Sequence, residues 1–287
     1  MIRAEVRWSV LVALAVAMTV TAVAQTKGIA TFGGLKNLEF VADFYNNGKG
    51  SMGSGPGPDL GLQFTSNAEA IVQAGKGGTG NFVNDPGNYP VMFFPTGTNV
   101  TVNATKGIEV SLWFSYSALK AGTATVYDGP NGTGNILASV TLNPNNSGCS
   151  PYAMCVWTPV GIPLSATASS IRFSGTANFV GIASIHLGQL LPTVTTVTSS
   201  QDPNQPCASA TFTATVLGVG GVVPANTQNG LVTFKAGSAV LAKNVPLTSG
   251  TASTTASLPA GTVVTALFKS TPSFNTSHGS LTVQCTP

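Results

Sequence analysis

Of 287 residues only 21 are charged, 12 Lys plus Arg and 9 Asp plus Glu, or 7% of the chain, against about 25% in an average soluble protein. The formal net charge of +3 is spread out, with no basic stripe for nucleic acid and no acidic run for cations. Glycine (33) and proline (18) are abundant while the hydrophobic share stays at 43%, which excludes a disordered tail and a helical bundle and leaves room for a buried core in one or two domains.

The chain opens with Arg3 and Arg7 ahead of an apolar run from Val10 to Ala24. That run is shorter than the ~20 residues of a membrane span, and Ala22-Val23-Ala24 satisfies the small-x-small rule for leader cleavage. Residues 1–24 are therefore expected to be a signal peptide, cut between Ala24 and Gln25. No cysteine follows the run, so lipid attachment is not expected. Without Arg3, Glu5 and Arg7 the chain keeps 10 basic and 8 acidic residues. No later stretch approaches the apolar length of a transmembrane helix. The product is expected to be secreted or at the cell surface, with no membrane span after cleavage and no nucleic-acid partner.

Export makes the four cysteines legible, because disulfides persist in oxidising compartments. Cys149 and Cys155 stand six apart in a Pro/Ser/Asn-rich stretch, and Cys207 and Cys285 lie near the ends of the C-terminal segment. Four cysteines allow three connectivities. Pairing 149 with 155 and 207 with 285 keeps each bond inside one module, contributing roughly 2 and 4 kcal/mol by loop entropy. Zinc is disfavoured: there is no Cys-x-x-Cys, and His186 and His278 are remote in sequence from the cysteines.

Alternation with period two recurs along the chain, the signature of half-buried antiparallel strands. Ile108–Ser117, Ala124–Tyr127, Ile136–Leu142 and Ser170–Ser174 combine β-branched and aromatic residues between Gly, Pro and Asn breakers. Asp128-Gly129-Pro130-Asn131-Gly132 between two of them is a turn. Ser66 to Ala74 fits a short helix or a strand. After Gly181–Gly188, Leu191-Pro192-Thr193 marks a boundary, and residues 193–287 hold one acid, Asp202, and no Tyr or Trp. Their candidate strands, Ala210–Leu217, Gly230–Lys235, Ala239–Leu247, Thr251–Ser257, Val263–Lys269 and Ser280–Cys285, recur about every ten residues, the rhythm of an immunoglobulin-like sandwich. The expected organisation is an all-β pair of β-sandwich domains, a jelly-roll-like N-terminal module and an Ig-like C-terminal one. The divisions are a linker at 25–35, a module over 36–189, a linker at 190–192 and the Ig-like domain over 193–287.

Val194–Ser200, Ala210–Val216, Gly230–Phe234, the turn Leu258-Pro259-Ala260-Gly261-Thr262 and Ser273-Phe274-Asn275-Thr276-Ser277 together resemble a bacterial Ig-like repeat over 193–287. That family carries Tyr-Asp where this chain has Lys235-Ala236, and the cysteine pair is an addition. The resemblance implies a spacer or adhesive stalk and supplies no catalytic residues. Upstream, Leu38-Glu39-Phe40, Asp43–Gly48, Gly55–Phe64, Thr79–Phe82, Val126–Gly134 and Ile182–Gly188 resemble the secreted β-sandwich module of PEP-CTERM-type bacterial exoproteins, over roughly 36–188. The Pro-Glu-Pro sorting tail is missing, and Ile182-Ala183-Ser184-Ile185 stands where the family often has Phe-Asp-Asn-Ile.

No constellation points to catalysis. A hydrolytic triad needs His186 or His278; the first alternates with Ile185 and Leu187 in a strand and the second lies in a Ser/Gly turn. No Gly-x-Ser-x-Gly, Walker loop or His-Glu-x-x-His occurs. Glu39, Asp43, Asp59, Glu69, Asp85, Glu109 and Asp128 offer carboxylates for glycoside hydrolysis without a spacing that selects a pair. Glu39, Asp43 and Asp59 are the candidate calcium ligands, since sandwich loops are often pinned by hard cations, while turn chemistry accounts for Asp43 and Asp59 equally well. Tyr89, Tyr116, Tyr127, Tyr152 and Trp157 are the candidate glycan-binding aromatics, weighed against core packing. The function expected is non-catalytic binding, adhesion or extracellular architecture, with a glycan or surface protein as partner and self-association favoured by low charge. The alternative is a carbohydrate-active hydrolase or its accessory module.

Overall fold

The computed structural model describes residues 25–224 and 230–286; the expected leader lies outside the described residues. The chain is all-β, as its alternation predicts. The first module holds β1 (Gly28–Ala30), β2 (Glu39–Phe40), β3 (Leu62–Phe64), β4 (Glu69–Ile71), β5 (Val91–Phe93), β6 (Asn99–Ile108), β7 (Ser111–Ala118), β8 (Gly122–Tyr127), β9 (Ile136–Leu142), β10 (Thr158–Pro163), β11 (Ala168–Ser174) and β12 (Val180–Leu187).

Two antiparallel sheets face each other. One runs β10-β7-β12-β5-β4-β2, with β1 beside the far half of β12, and the other runs β3-β6-β11-β8-β9. From β6 to β12 the chain keeps crossing between the two sheets, apart from the β8–β9 hairpin, so most of these neighbours in sequence pack across the core. Alternate residues of the long strands fill that core: Val100 and Val102 of β6, Leu112 and Phe114 of β7, Ile171 and Phe173 of β11 are buried, and Phe114 meets Phe173 edge to face at 5.1 Å. Phe32, Phe44, Tyr45 and Phe64 close one end as an aromatic cluster. Pro159 and Pro163 cannot donate to a ladder, which places β10 at a sheet edge, where it pairs only with β7.

Two expectations are corrected and one left open is resolved. Residues 25–35 are no linker: Gly28–Ala30 pairs with Ile185–Leu187, and Phe32 and Leu35 lie in the core, because two short apolar stretches suffice to add an edge strand. The stretch Ser66–Ala74 resolves into β4 followed by a single 3₁₀ turn at Ala74–Lys76. Nor are residues 190–192 a spacer: Leu191 is buried in the second core, its N–H bonds Ser273 O (2.8 Å) and its carbonyl accepts from Asn275 N–H (3.0 Å).

The second module comprises β13 (Thr193–Ser199), β14 (Ser209–Gly218), β15 (Leu231–Ala236), β16 (Ala239–Pro246), β17 (Thr251–Ser257), β18 (Val263–Phe268) and β19 (Ser277–Thr282). A sheet β13-β14-β17 packs on a sheet β16-β15-β18-β19. This is an Ig-like seven-stranded sandwich in which the fourth strand joins β15 instead of lying beside β17. Phe212, Phe234, Phe268 and Phe274 fill it. The Cys207–Cys285 disulfide joins the approach to β14 with the exit of β19.

The modules meet through backbone. The turn Val219–Gly221 lies on edge strand β10: a Cβ on Gly220, which has φ +73°, would stand 2.7 Å from Pro159 O, and one on Gly161 would stand 2.6 Å from Val219 O. Only glycine permits both approaches. Trp113 of β7 packs from the first module against the second core.

Candidate functional site

On β7 the residues facing away from the core, Ser115 and Ser117, are buried as well as Leu112 and Phe114. Their cover is the loop between β9 and β10. Asn146 is its hub: Oδ1 accepts from the N–H groups of Cys155 (2.8 Å) and Val156 (3.1 Å), and Nδ2 donates to Ser117 Oγ (2.8 Å) and Ala118 O (3.2 Å). Asn145 adds a bond from Ala118 N–H (2.9 Å) and one to Thr158 Oγ1 (2.8 Å). The Cys149–Cys155 disulfide closes the loop on itself. A second segment laces alongside: Val83 N–H donates to Met154 O (3.0 Å) and Ala153 N–H to Asn81 O (3.1 Å). Both disulfides are those expected from spacing.

Beside these two laced segments, on the outer face of the first sheet, lies a cleft of about 160 Å³ lined by Phe82, Phe93, Leu119 and Met154, with Ile71 and Val91 on its strands and Asn81 and Asn178 as its polar members. Trp157 backs the wall: its Nε1–H donates to Val83 O (2.9 Å), and its ring meets Phe82 edge-on at 5.9 Å. Gly181 brings β12 close beneath, since a Cβ there would sit 3.1 Å from Val91 and 3.6 Å from both Met154 and Trp157. Phe82, Val91 and Ala183 form a small buried cluster beneath the hollow, with Ile71, Met154 and Trp157 packed against it.

The five aromatics named from sequence do not share a surface. Tyr116 belongs to the core and its hydroxyl donates to Asn143 O (3.2 Å). Tyr127 stands on the opposite sheet beneath Arg172, whose guanidinium is 5.5 Å from the ring centre. Tyr89, 47% exposed, has its ring against Gly33 and Gly87, and Tyr152, 43% exposed, rides on the disulfide loop. Trp157 alone reaches the cleft, through Phe82. Period-two reading had no means to find Phe82, Leu119 and Met154, because two of the three come from irregular segments brought together only by folding.

Nor does the fold gather Glu39, Asp43 and Asp59 into one cluster. Glu39 is fully buried, and its carboxylate accepts the N–H groups of Lys36 (2.8 Å), Met52 (2.9 Å) and Ser54 (3.1 Å). Burial opposes its ionisation, but these bonds, with the Ser54 hydroxyl, outweigh it and hold the carboxyl below its usual range. The lone pairs a cation would need are already committed to the loop Lys36–Ser54. The carbonyl of Asp43 closes a turn by accepting from Asn46 (2.8 Å) and Gly48 (3.0 Å), and Asp59 pairs with Lys106 (2.9 Å). Among the described residues no three acidic, histidine or cysteine side chains stand together as metal ligands.

His186 stacks on Trp113 with centroids 3.4 Å apart, and its Nε2 lies 3.3 Å from Ser184 Oγ. Burial lowers its pKa to about 4. No carboxylate bonds the ring among the described residues, so the pair lacks the orienting acid of a hydrolytic triad.

Comparison with protein-family models finds no match, and comparison with the curated proteins finds none either. Among solved structures, the chain is similar to a carbohydrate binding module from Cellvibrio mixtus lichenase 5A in complex with cellotriose, at 12% identity and TM-score 0.26, covering 43% of this chain and 88% of that one. A membrane anchored protein from Corynebacterium diphtheriae gives 12% and 0.28, covering 76% of this chain and 53% of that one. The mouse nectin-like molecule 4 ectodomain gives 10% and 0.24, covering 65% and 72%. At such values the likenesses carry no argument about ligands, and the site stands on its own geometry.

Proposed function

We propose that the protein is an exported, non-catalytic binding or adhesion module that captures a partner in the cleft bounded by the paired Asn81–Val83 and Ala153–Met154 segments on one side and Leu119 and Asn178 on the other, with the Ig-like module as its spacer. The observation that carries this reading is the cleft itself, an open hollow lined by Phe93, Leu119 and Met154 over the buried Phe82. Two disulfides suit an oxidising compartment, and the network of Asn145 and Asn146 fixes the loop that carries Met154 onto β7 before any ligand arrives, which lowers the ordering cost of binding.

A screen of residues 25–287 against bacterial surface polymers and surface proteins, repeated with Leu119→Asp, tests it. Leu119 is partly exposed at the rim, so the variant should fold while binding falls at least tenfold, about 1.4 kcal/mol. Equal capture by both proteins removes the cleft from the function.

A further inference from the structure

Of the 10 basic and 8 acidic residues after position 24, 3 and 1 fall in residues 193–287. The first module therefore balances at 7 of each sign, and the net charge of +2 belongs wholly to the Ig-like module. Its three cations, Lys235, Lys243 and Lys269, lie far apart in sequence, yet all three line one hollow of about 460 Å³ on the sheet β16-β15-β18-β19.

The strands bring them together in two ways. Val232 and Phe234 of β15 and Ala266 and Phe268 of β18 are buried in the second core, so the alternate positions Thr233 and Lys235 face outward. Lys269 follows β18 with the same parity, and its N–H donates to Leu231 O (3.0 Å). On β16 the register shifts opposite Thr233, with Asn244 at φ +56°. A bulge of this kind re-aims side chains, and Lys243 and Asn244 both line the hollow. The three lysines thus stand level with Leu231, Thr233 and Lys235 of β15, in steps of roughly 7 Å along the strand direction.

Like charges gathered in this way repel one another, and the fold does not relieve them. Among the described residues the one ion pair is Lys106 with Asp59, in the other module. Asp202, the single acid of the Ig-like module, accepts from Asn204 N–H (2.8 Å) in its own turn. Protection of a sheet edge accounts for Lys243 alone, because β15 is an interior strand. A one-sign cluster without a structural task attracts and holds opposite charge.

We propose that this face of the Ig-like module binds an acidic polysaccharide, its successive carboxylates resting on Lys269, Lys243 and Lys235 and its hydroxyls on Thr233 and Asn244. The site is separate from the cleft and does not depend on it. Three observations select the occupant. Stepped charges match a linear polyanion, whereas one small anion would need all three ammonium groups around a single point. The Thr233 hydroxyl and the Asn244 amide stand among the lysines and supply the donors and acceptors that sugar hydroxyls use. Nucleic acid would need aromatic faces for its bases, but the module has no Tyr or Trp, and Phe212, Phe234, Phe268 and Phe274 are all buried.

The test measures binding of residues 25–287 to polygalacturonate, to its methyl ester, to poly-L-glutamate and to oligothymidylate. It compares the wild type, the triple variant Lys235→Gln/Lys243→Gln/Lys269→Gln, and Leu119→Asp in the cleft. A melting curve checks that the triple variant folds, and the methyl ester removes the charge from the polymer instead of the protein. The expected result is saturable binding of polygalacturonate, weakened by salt and at least tenfold tighter than of the other three polymers. It should fall at least tenfold in the triple variant and stay unchanged in Leu119→Asp. Absence of binding, equal binding of the methyl ester, or binding that survives in the triple variant overturns the site and leaves the cleft reading standing. Poly-L-glutamate or oligothymidylate bound as tightly overturns the polysaccharide as the occupant. Loss in Leu119→Asp to the same extent as in the triple variant overturns the independence of the two sites.

Discussion

At the scale of single residues, three ionisable groups pull stability in opposite directions with pH. Glu39 is held below its usual range, so its contribution is present above about pH 4.5 and is lost as the pH falls through its lower folded value. Glu39→Gln keeps the shape but exchanges three charge-assisted bonds for neutral ones and turns an amide against backbone donors. We expect a loss of about 2–3 kcal/mol by urea unfolding at pH 7, shrinking towards acid. A loss that stays constant from pH 7 to pH 3 would show that ionisation is not what holds the loop. Glu69 has the opposite sign: its raised folded pKa makes the folded state bind its proton more tightly, so stability declines as the pH rises from the unfolded value through the folded one. Glu69→Leu should therefore stabilise the protein at pH 7, and a melting temperature that drops would indicate a partner for the carboxylate within the fold. His186, lowered to about 4 by burial, stays neutral when folded but charges when unfolded. Stability should fall as the pH drops from 6.5 towards 4, and His186→Phe, which keeps a ring on Trp113, should flatten that part of the melting-temperature profile.

At the scale of elements, the two disulfides act on different objects. Cys207–Cys285 spans 78 residues of sequence and ties the two ends of the Ig-like sandwich, where Cys207 N–H also donates to Thr286 O (3.0 Å). Replacing both cysteines by serine should cost about 4 kcal/mol, read as a lower melting transition of that module. Cys149–Cys155 spans only six and is worth about 2 kcal/mol by the same entropy. Its loop, unlike the second module, is also anchored by Asn146. Opening the short bridge should therefore leave the first module folded, while Asn146→Ala, which strips four hydrogen bonds, two of them from the buried Ser117 and Ala118, should cost more than the disulfide and weaken capture in the cleft. Hydrogen exchange at Cys155 and Val156 separates the two cases: slow exchange in the serine variant and fast exchange in Asn146→Ala are expected.

At the scale of the whole molecule, the modules are coupled by a backbone approach. Gly220→Val adds a β-branched side chain at φ +73° against Pro159 O, which favours glycine on both counts. We expect the Val219–Gly221 turn to leave β10, Trp113 to lose part of its apolar cover and shift its fluorescence to the red, and small-angle scattering to report a longer, more variable particle. An unchanged scattering profile would show that Leu191 and Phe274 hold the modules together without the turn.

What the amino-acid order determined by itself is what depends on local periodicity and on chain chemistry. Alternation along Ser111–Ala118 and Ile136–Leu142, the breakers between them and the ten-residue rhythm after Thr193 sufficed for an all-β pair of sandwiches, because one buried face is enough to impose period two. The disulfide partners followed in the same way, since a bond between near or terminal cysteines respects the domain division. Tertiary structure decided what depends on which distant segments meet. Phe32 and Leu35 join the core and Leu191 the second core only because strands elsewhere supply their partners. Glu39 was legible as an acid beside a Gly-rich loop, but whether such an acid meets a cation or backbone amides is a matter of where the loop Lys36–Ser54 turns. The cleft lay furthest from reach: Phe82 and Met154 are 72 positions apart and belong to segments without periodicity, so neither carries a signal until the loop from Asn143 to Trp157 has folded across β7. Glu69 shows the same limit from the other side, since a carboxylate on an alternating strand looks solvated until its neighbours on β2 and β5 prove to be phenylalanines.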